Sequence, residues 1–279
     1  MTAAAARYLL KLSRPRFWLY LAGPVAVGVV YAAASTADLF TPTTLTLFAY
    51  FLLPANVLLY GVNDVFDADV DEENPKKEDR EVRYGGDRLV PVAVVVCGGL
   101  VLAPVALTPP LAWLWLAGFL ALGVAYSAPP TRLKTRPPLD SLSNGLYVLP
   151  GAAAYAAVAG RHPPLLAVVG GWLWTMAMHT FSAIPDIEPD RRAGIETTAT
   201  KLGEGATYAY CAVCWTLAAV AFGLLDVRLG ALIGLYPLGV ALVSRSTVEA
   251  DRAYWWFPAV NTVVGTLITM GGLWRLLYG

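Results

Sequence analysis

The sequence is poor in charge and in cysteine. Only 14% of its 279 residues are charged, against about 25% in a typical soluble domain, while 57% are hydrophobic. Three cysteines are too few for the disulfide framework on which small secreted domains depend. The formal net charge of zero provides no excess of basic residues for binding nucleic acid. These deficits exclude a soluble domain and a nucleic-acid-binding protein, and they indicate a protein embedded in a lipid bilayer.

Long apolar stretches follow one another along the whole chain, and the mean hydropathy is +0.56. A membrane-spanning helix needs about 20 mostly apolar residues. Applied to this chain, the rule predicts an all-α membrane protein, a single polytopic domain over residues 1–279 with nine transmembrane helices. The predicted spans are approximately 17–34, 43–62, 89–107, 111–127, 142–160, 165–184, 206–225, 229–243 and 255–277.

The distribution of charge predicts the orientation. If the N-terminus and the loops after spans 2, 4, 6 and 8 share one side, that side carries seventeen of the 20 basic residues. By the positive-inside rule this side is cytoplasmic, so we expect a multi-pass protein of the cell membrane with a cytoplasmic N-terminus. Eighteen of the 20 acidic residues fall on the same side. The positive-inside rule does not require this, so the concentration of carboxylates on this side must have another cause.

The first acidic segment, residues 63–71, follows the second predicted span. If the helix continues through it, four polar side chains fall within about 100° of one another, because an α-helix turns about 100° per residue. These are Asn63, Asp64, Asp67 and Asp71. Carboxylates on one face repel one another unless a cation is present. Their hard oxygen atoms suit Mg²⁺, which binds one or two carboxylates and completes its shell with phosphate and water.

The second acidic segment, residues 186–190, follows the sixth predicted span. Asp186 and Asp190 are four residues apart and therefore share a helix face. Both acidic segments fall at the cytoplasmic ends of even-numbered spans, so we expect them to face each other across a cavity and to hold Mg²⁺ around one diphosphate. The alternative is that the acids are solvated loop residues. We accept it for the acids of residues 69–81 other than Asp71, but same-face spacing in both segments argues against it there.

Basic residues complete the predicted site. Pro129 and Pro130 end the fourth span, and Arg132 and Lys134 follow at the predicted mouth of the cavity. Arginine offers a planar fork of donors and lysine a point charge, both suited to a diphosphate. Two further candidates come from the first cytoplasmic loop, Lys76 and Arg80. The alternative for all of them is simple anchoring by the positive-inside rule.

Three aromatic residues lie at the cytoplasmic ends of even-numbered spans. They are Tyr60, Phe66 and Tyr126. Aromatic rings in such a cavity can stabilise an allyl cation through cation–π attraction. The alternative is that they belong to the aromatic belt found at membrane interfaces.

Four stretches resemble motifs of the UbiA superfamily of intramembrane prenyltransferases. Residues 63–71 are similar to its NDxxDxxxD motif, and residues 186–198 to its DxxxD motif with a trailing G-I-x-[ST]-T. Residues 126–134 are similar to its YSxPPxRLK stretch, and Ser13-Arg14-Pro15 resembles its usual entry into the first span. The motifs occur in the family's order, and the resemblance covers nearly the whole chain.

The resemblance implies a nine-helix bundle around a central cavity open towards the lipid. It also implies an enzyme that uses Mg²⁺ to ionise an allylic diphosphate and transfers the prenyl group to a lipophilic acceptor. One stretch departs from the members that prenylate quinone precursors: the N-x-P-x-R-P sequence is replaced by E-N-P-K-K at residues 73–77. In this the chain resembles the branch that elongates carotenoids, which implies dimethylallyl diphosphate as donor and lycopene as acceptor.

Other functions remain open from the sequence. Within the family, the acceptor can instead be a quinone precursor, a chlorin or a glycerol phosphate ether lipid. Outside it, an ion-coupled transporter also places carboxylates in helices. A transporter is expected to carry them near the middle of the membrane, whereas the acids here gather at one surface.

Overall fold

The computed structural model describes residues 3–71, 86 and 88–279 of the chain. Within these ranges the protein forms sixteen α-helices and five 3₁₀ turns, and it contains no β-strand. The helices are α1 Ala3–Leu12, α2 Trp18–Ala32, α3 Pro42–Leu52, α4 Pro54–Asp71, α5 Leu89–Gly99, α6 Leu102–Leu107, α7 Pro110–Ser127, α8 Leu139–Leu142, α9 Leu149–Ala159, α10 Leu165–Ser182, α11 Ile187–Arg192, α12 Thr198–Leu202, α13 Glu204–Gly223, α14 Val227–Ile233, α15 Leu235–Val243 and α16 Ala250–Tyr278. The predicted all-α class is therefore confirmed.

Six stretches of the described chain are long and apolar enough to cross a membrane. They are Pro42–Asp67, Leu89–Leu107, Pro110–Ser127, Leu165–Arg192, Glu204–Gly223 and Ala250–Tyr278, and Val227–Val243 is a shorter apolar stretch. These stretches make the protein a multi-pass membrane protein. The expected number of nine spanning helices is not confirmed, because the other predicted spans form shorter helices.

The fifth predicted span shows why a helix can be shorter than its apolar stretch. Its first part, residues 143–148, is a 3₁₀ turn, and α9 that follows has only 11 residues. Ser143 Oγ donates to the carbonyl of Leu139 at 2.6 Å, and Asn144 Nδ2 donates to that of Asp140 at 2.6 Å. Such side chains compete with regular helical hydrogen bonding, and a hydropathy rule does not register this competition.

The chain divides into two compact units. The first contains Met1–Thr131, Leu149–His162 and Gly272–Gly279, and the second contains Arg132–Val148 and Pro163–Gly271. The single domain expected over residues 1–279 stays a prediction. The first unit carries the first acidic segment, and the second unit carries Arg132, Lys134 and the second acidic segment.

In the first unit, α2 packs against α9 through two glycines. A Cβ atom at Gly28 would lie 2.2 Å from the carbonyl oxygen of Gly151, and one at Gly151 would lie 2.7 Å from that of Pro24. The two backbones are therefore in direct contact. Elsewhere in this unit α4 packs against α1, α5 and α7, and these contacts support the helix that carries the first acidic segment.

In the second unit, α10 and α13 pack along each other around an aromatic core. The rings of Phe181 and Phe257 meet edge to face with centroids 4.9 Å apart, and Trp215 lies 5.9 Å from Phe257. The Tyr236 hydroxyl donates to Asn261 Oδ1 at 2.6 Å, which satisfies both polar groups inside the apolar core. This core supports the end of α10, where the second acidic segment begins.

Candidate active site

The first acidic segment is helical, as predicted, and forms the C-terminal end of α4. Asp64 is buried with 2% of its surface exposed, and Asn63 and Asp67 are half-buried. The last turn of α4 contains no basic residue. Carboxylates at a helix C-terminus face the negative end of the helix dipole, so this segment favours a cation supplied from elsewhere.

One such cation comes from the Ser13-Arg14-Pro15 entry. Arg14 Nη2 donates to Asp64 Oδ1 at 3.4 Å, and its guanidinium lies 4.6 Å from the centre of the Tyr60 ring. Because the Asp64 carboxylate is buried, this pair is less screened than a surface ion pair. The entry motif is recognisable in the sequence, but the sequence pattern does not assign a role to Arg14.

The turn that presents Arg14 is held by its neighbours. Ser13 is fully buried; its hydroxyl donates to the carbonyl of Leu10 at 2.7 Å and accepts from Trp18 Nε1 at 3.0 Å. Arg14 itself has φ 48°, in the left-handed region that non-glycine residues rarely adopt. The buried serine thus stabilises a backbone conformation that directs the chain from α1 into Pro15 and α2.

The first acidic segment also contacts the YSxPPxRLK stretch. Ser127 Oγ, at the end of α7, donates to Asn63 Oδ1 at 3.0 Å. The Thr131 hydroxyl then donates to the carbonyls of Ala125 and Ala128, at 2.9 and 3.0 Å, and closes the end of α7. Two motifs that are separated in sequence are thus joined within the first unit by the side chain of Asn63.

The three predicted aromatic residues have different surroundings. Tyr60 is buried between Arg14 and Phe17, whose ring centre is 6.3 Å away. Phe66 is exposed, and Tyr126 is half-buried. Tyr60 contacts a guanidinium and an aromatic ring, and the predicted role of the three rings towards an allyl cation stays a prediction.

The second acidic segment spans a 3₁₀ turn and a short helix. Asp186 ends the turn Ile184–Asp186 and precedes α11, which contains Asp190, and both residues are half-buried. Arg191 of α11 pairs with Glu188 at 2.9 Å and donates from Nη2 to the carbonyl of Thr200 at 2.8 Å. The exposed ion pair contributes little to stability, but the hydrogen bond from Arg191 to Thr200 ties α11 to α12.

A buried carboxylate outside the predicted site, Asp140, holds the start of α12. Asp140 is only 1% exposed and accepts two hydrogen bonds from Thr198, one from the backbone N–H at 2.8 Å and one from the hydroxyl at 2.5 Å. Thr197 and Thr200 add a reciprocal capping box at the same helix end. The available sequence signal was a lone carboxylate next to the fifth predicted span.

Two of the predicted diphosphate-binding cations, Arg132 and Lys134, belong to the second unit. Arg132 has φ 39° and precedes the 3₁₀ turn Leu133–Thr135, which contains Lys134, and both side chains are half-buried. This turn packs against α8, the helix that carries Asp140. Lys76 and Arg80 lie outside the described residues, as does the side chain of Asp71.

The available donors suit Mg²⁺ better than a softer metal, since they are carboxylate and amide oxygens. Among the side chains that the structure describes, no three histidine, cysteine or acidic residues form a metal site by themselves. Mg²⁺ typically binds one or two carboxylates and obtains its other ligands from phosphate and water, so the carboxylate oxygens present here are of the kind that suits it.

Known proteins match this chain over nearly its full length. The profile of the UbiA prenyltransferase family matches residues 21–270. A lycopene elongase/hydratase of Haloferax volcanii is 65% identical over 272 residues, which are 98% of this chain and 90% of that protein. A lycopene elongase/hydratase of Halobacterium salinarum is 62% identical over 276 residues, 98% of this chain and 99% of that protein.

A solved structure shares the fold at much lower identity. It is the structure of a UbiA homolog from Archaeoglobus fulgidus bound to DMAPP and Mg²⁺, with a TM-score of 0.77 and 20% sequence identity. The match covers 95% of this chain and 99% of that one. At 20% identity, this similarity shows that the two proteins share a fold.

Proposed function

Because this chain belongs to the UbiA prenyltransferase family, we propose that it transfers a dimethylallyl group from its diphosphate to lycopene. The observation that carries the proposal is the identity of 65% and 62% to two lycopene elongase/hydratases, each over 98% of the chain. The homolog from Archaeoglobus fulgidus, which binds DMAPP and Mg²⁺, supports the choice of donor and metal.

The reaction that we propose is an electrophilic alkylation. The bond between C1 of the donor and its bridging oxygen breaks, and the electron pair leaves with the diphosphate. A terminal double bond of lycopene then supplies the electrons for a new C–C bond, which moves the positive charge onto the acceptor. The charge is removed by loss of a proton, or by addition of water followed by loss of one proton from that water; in both cases the released diphosphate or solvent can accept the proton. The relatives' names include hydratase, so we propose water addition as one outcome.

The two acidic segments provide the metal ligands in this proposal. Mg²⁺, when bound, neutralises the diphosphate and makes it a better leaving group. Its ligands would come from Asp64, Asp67, Asp71, Asp186 and Asp190, with Asn63 in support. Arg14 contacts the buried Asp64 carboxylate, and Ser127 donates a hydrogen bond to Asn63. Both side chains are therefore held in place before a metal ion binds.

The basic residues would bind the diphosphate oxygens directly. Arg132 offers a fork of N–H donors and Lys134 a mobile point charge, and Lys76 and Arg80 of the first loop would add further positive charge. Cationic groups of this kind stabilise charge as it develops on the leaving diphosphate. The rings of Tyr60, Phe66 and Tyr126 would stabilise the allyl cation through cation–π attraction.

We further propose that the protein crosses the cell membrane nine times with a cytoplasmic N-terminus. Beyond the six long stretches, the additional crossings would be α2, residues 143–159 and the 17-residue stretch Val227–Val243. The placement of seventeen of 20 basic residues on alternate loops supports this topology.

Expression in a lycopene-producing bacterium tests the function. We expect wild-type protein to convert lycopene into C45 and C50 pigments, identified by mass spectrometry. The double variant Asp67→Ala, Asp186→Ala should leave lycopene unchanged, because each acidic segment loses a metal ligand. A second double variant, Glu249→Ala with Asp251→Ala, removes two exposed carboxylates and should retain activity.

Membranes from the same cells distinguish the alternatives. If wild-type protein is folded in the membrane and lycopene stays unchanged, the carotenoid acceptor is wrong. Release of diphosphate on addition of a quinone precursor, a chlorin or a glycerol phosphate ether lipid would then identify another acceptor class. Ion-driven uptake without any prenyl transfer would indicate a transporter.

A further inference from the structure

Asp140 is a buried carboxylate that belongs to neither acidic segment. It lies on α8 in the second unit and is 1% exposed. Moving an ionised carboxylate out of water is costly unless hydrogen bonds or a cation compensate. Aspartate is almost never fully buried in a protein unless it is paired. The position therefore needs an explanation beyond packing.

Both oxygen atoms of Asp140 are used by one residue. Oδ2 accepts from the backbone N–H of Thr198 at 2.8 Å, and Oδ1 accepts from its hydroxyl at 2.5 Å. Hydrogen bonds to a charged acceptor are about twice as strong as neutral ones. The two residues are 58 positions apart in sequence, so this contact fixes a long-range approach of two segments.

On one side, the contact leads to the second acidic segment. Thr198 is the first residue of α12, and the carbonyl of Thr200 in the same helix accepts from Nε and Nη2 of Arg191, at 3.3 and 2.8 Å. Arg191 directly follows Asp190. A displacement of α12 would therefore be transmitted through two hydrogen bonds to the helix that carries Asp190.

On the other side, the contact leads to the predicted diphosphate-binding cations. The carbonyl of Arg136 accepts from the backbone N–H groups of Leu139, at 2.6 Å, and Asp140, at 3.2 Å. The turn Leu133–Thr135, just before it, packs against α8. Asp140 thus occupies the point at which the cation-bearing turn and the acid-bearing helix of the second unit are joined.

We propose that Asp140 is a positioning residue that holds the second acidic segment in register with Arg132 and Lys134. Its bond to Thr198 sets the spacing at which Mg²⁺ ligands and basic side chains engage the same diphosphate. This inference rests on the proposed function, because it requires that both groups bind a diphosphate. It assigns Asp140 no contact with the substrate or the metal.

The test measures metal binding apart from turnover. Detergent-purified protein is titrated with Mn²⁺ in the presence of inorganic pyrophosphate, and bound Mn²⁺ is followed by electron paramagnetic resonance. We expect Asp140→Ala and Thr198→Val to weaken Mn²⁺ binding about 10-fold, the lower end of the range for loss of a direct partner of a metal ligand, because Asp140 acts through α12 and Arg191. Thr198→Ser, which retains the hydroxyl donor, should bind like wild type, and Asp140→Asn, which retains one acceptor, should be intermediate.

Kinetics and melting temperatures complete the test. In the same variants we expect the KM for the allylic diphosphate to rise by a similar factor, with the order of the variants preserved. Wild-type Mn²⁺ affinity and KM in Asp140→Ala and Thr198→Val would overturn the proposal, even if both melt at lower temperature, because the role would then be structural. If Asp140→Ala does not fold, Thr198→Val decides, since it removes only one of the two hydrogen bonds.

Failure of the proposed function gives a different pattern. If wild-type protein binds Mn²⁺ with pyrophosphate but leaves lycopene unchanged, the acceptor is wrong and the positioning role is still decided by the variants. If wild-type protein does not bind Mn²⁺ with pyrophosphate, both proposals fail.

Discussion

At the scale of single residues, Arg14 illustrates the limit of reasoning from sequence spacing. The spacing of Asn63, Asp64 and Asp67 predicts one shared face if the segment is helical, and the structure shows that it is helical. The guanidinium that meets Asp64 comes from a position 50 residues earlier, and periodicity contains no information about a contact at that distance. Asp140 was missed for the same reason, because its partner Thr198 lies 58 residues away.

Replacing Arg14 should destabilise the fold through Asp64. In Arg14→Gln the buried carboxylate loses a cationic partner, and leaving a buried polar group poorly paired costs about 1–3 kcal/mol. We expect a lower melting temperature in detergent than for wild type. Arg16→Gln removes the same charge from an exposed neighbour and is the matched control. Equal melting temperatures for the two variants would show that the contact with Asp64 contributes no stability.

At the scale of helices, the sequence predicts best where an apolar stretch is uninterrupted. The predicted spans 111–127 and 206–225 agree with Pro110–Ser127 and Glu204–Gly223 to within two residues at each end. The predicted span 43–62 instead contains two helices, with a break at Leu53 between α3 and α4. Pro54 begins α4, and proline disfavours a helical conformation in the residue before it, so this break had a local signal.

The contact between α2 and α9 depends on the absence of side chains. Gly28→Ala would place a Cβ atom 2.2 Å from the carbonyl oxygen of Gly151, so the two backbones would have to separate. Overpacking of this kind costs about 1–3 kcal/mol. We expect a lower melting temperature and less folded protein in membranes.

The same helix provides the control for this prediction. A Cβ atom at Gly23 would meet nothing within 4 Å, and alanine has the higher helix propensity. Gly23→Ala should therefore melt at or above the wild-type temperature. If Gly23→Ala and Gly28→Ala destabilise the protein equally, the cost does not come from the contact with α9.

At the scale of the whole molecule, composition and motif order were the most informative features. Low charge and long apolar stretches predicted a multi-pass all-α protein, and the ordered motifs predicted the family; both predictions are confirmed. The similarity to the carotenoid-elongating branch is confirmed by relatives of that name. The number of crossings was harder to predict, because hydropathy measures composition and does not register where a helix is interrupted.

The predicted orientation can be tested by cysteine labelling. Ala37 and Thr247 are exposed residues in loops expected on opposite sides of the membrane. In intact cells a membrane-impermeant maleimide should label Ala37→Cys, whereas Thr247→Cys should react only after the membrane is opened. The three native cysteines are buried or half-buried within apolar helices, and the unsubstituted protein measures their background. Labelling of Thr247→Cys alone in intact cells would reverse the orientation.

The end of α16 has a consequence for the order in which the two units can complete their folding. Arg275 Nη2 donates to the carbonyl of Tyr31 at 3.0 Å, and a Cβ at Gly272 would lie 2.7 Å from the Val30 side chain. Residues 272–279 therefore belong to the first unit. During translation, every residue of the second unit leaves the ribosome before these residues do. The first unit is the first to be synthesised, but its helices cannot complete their packing in the membrane until the last part of α16 has been made.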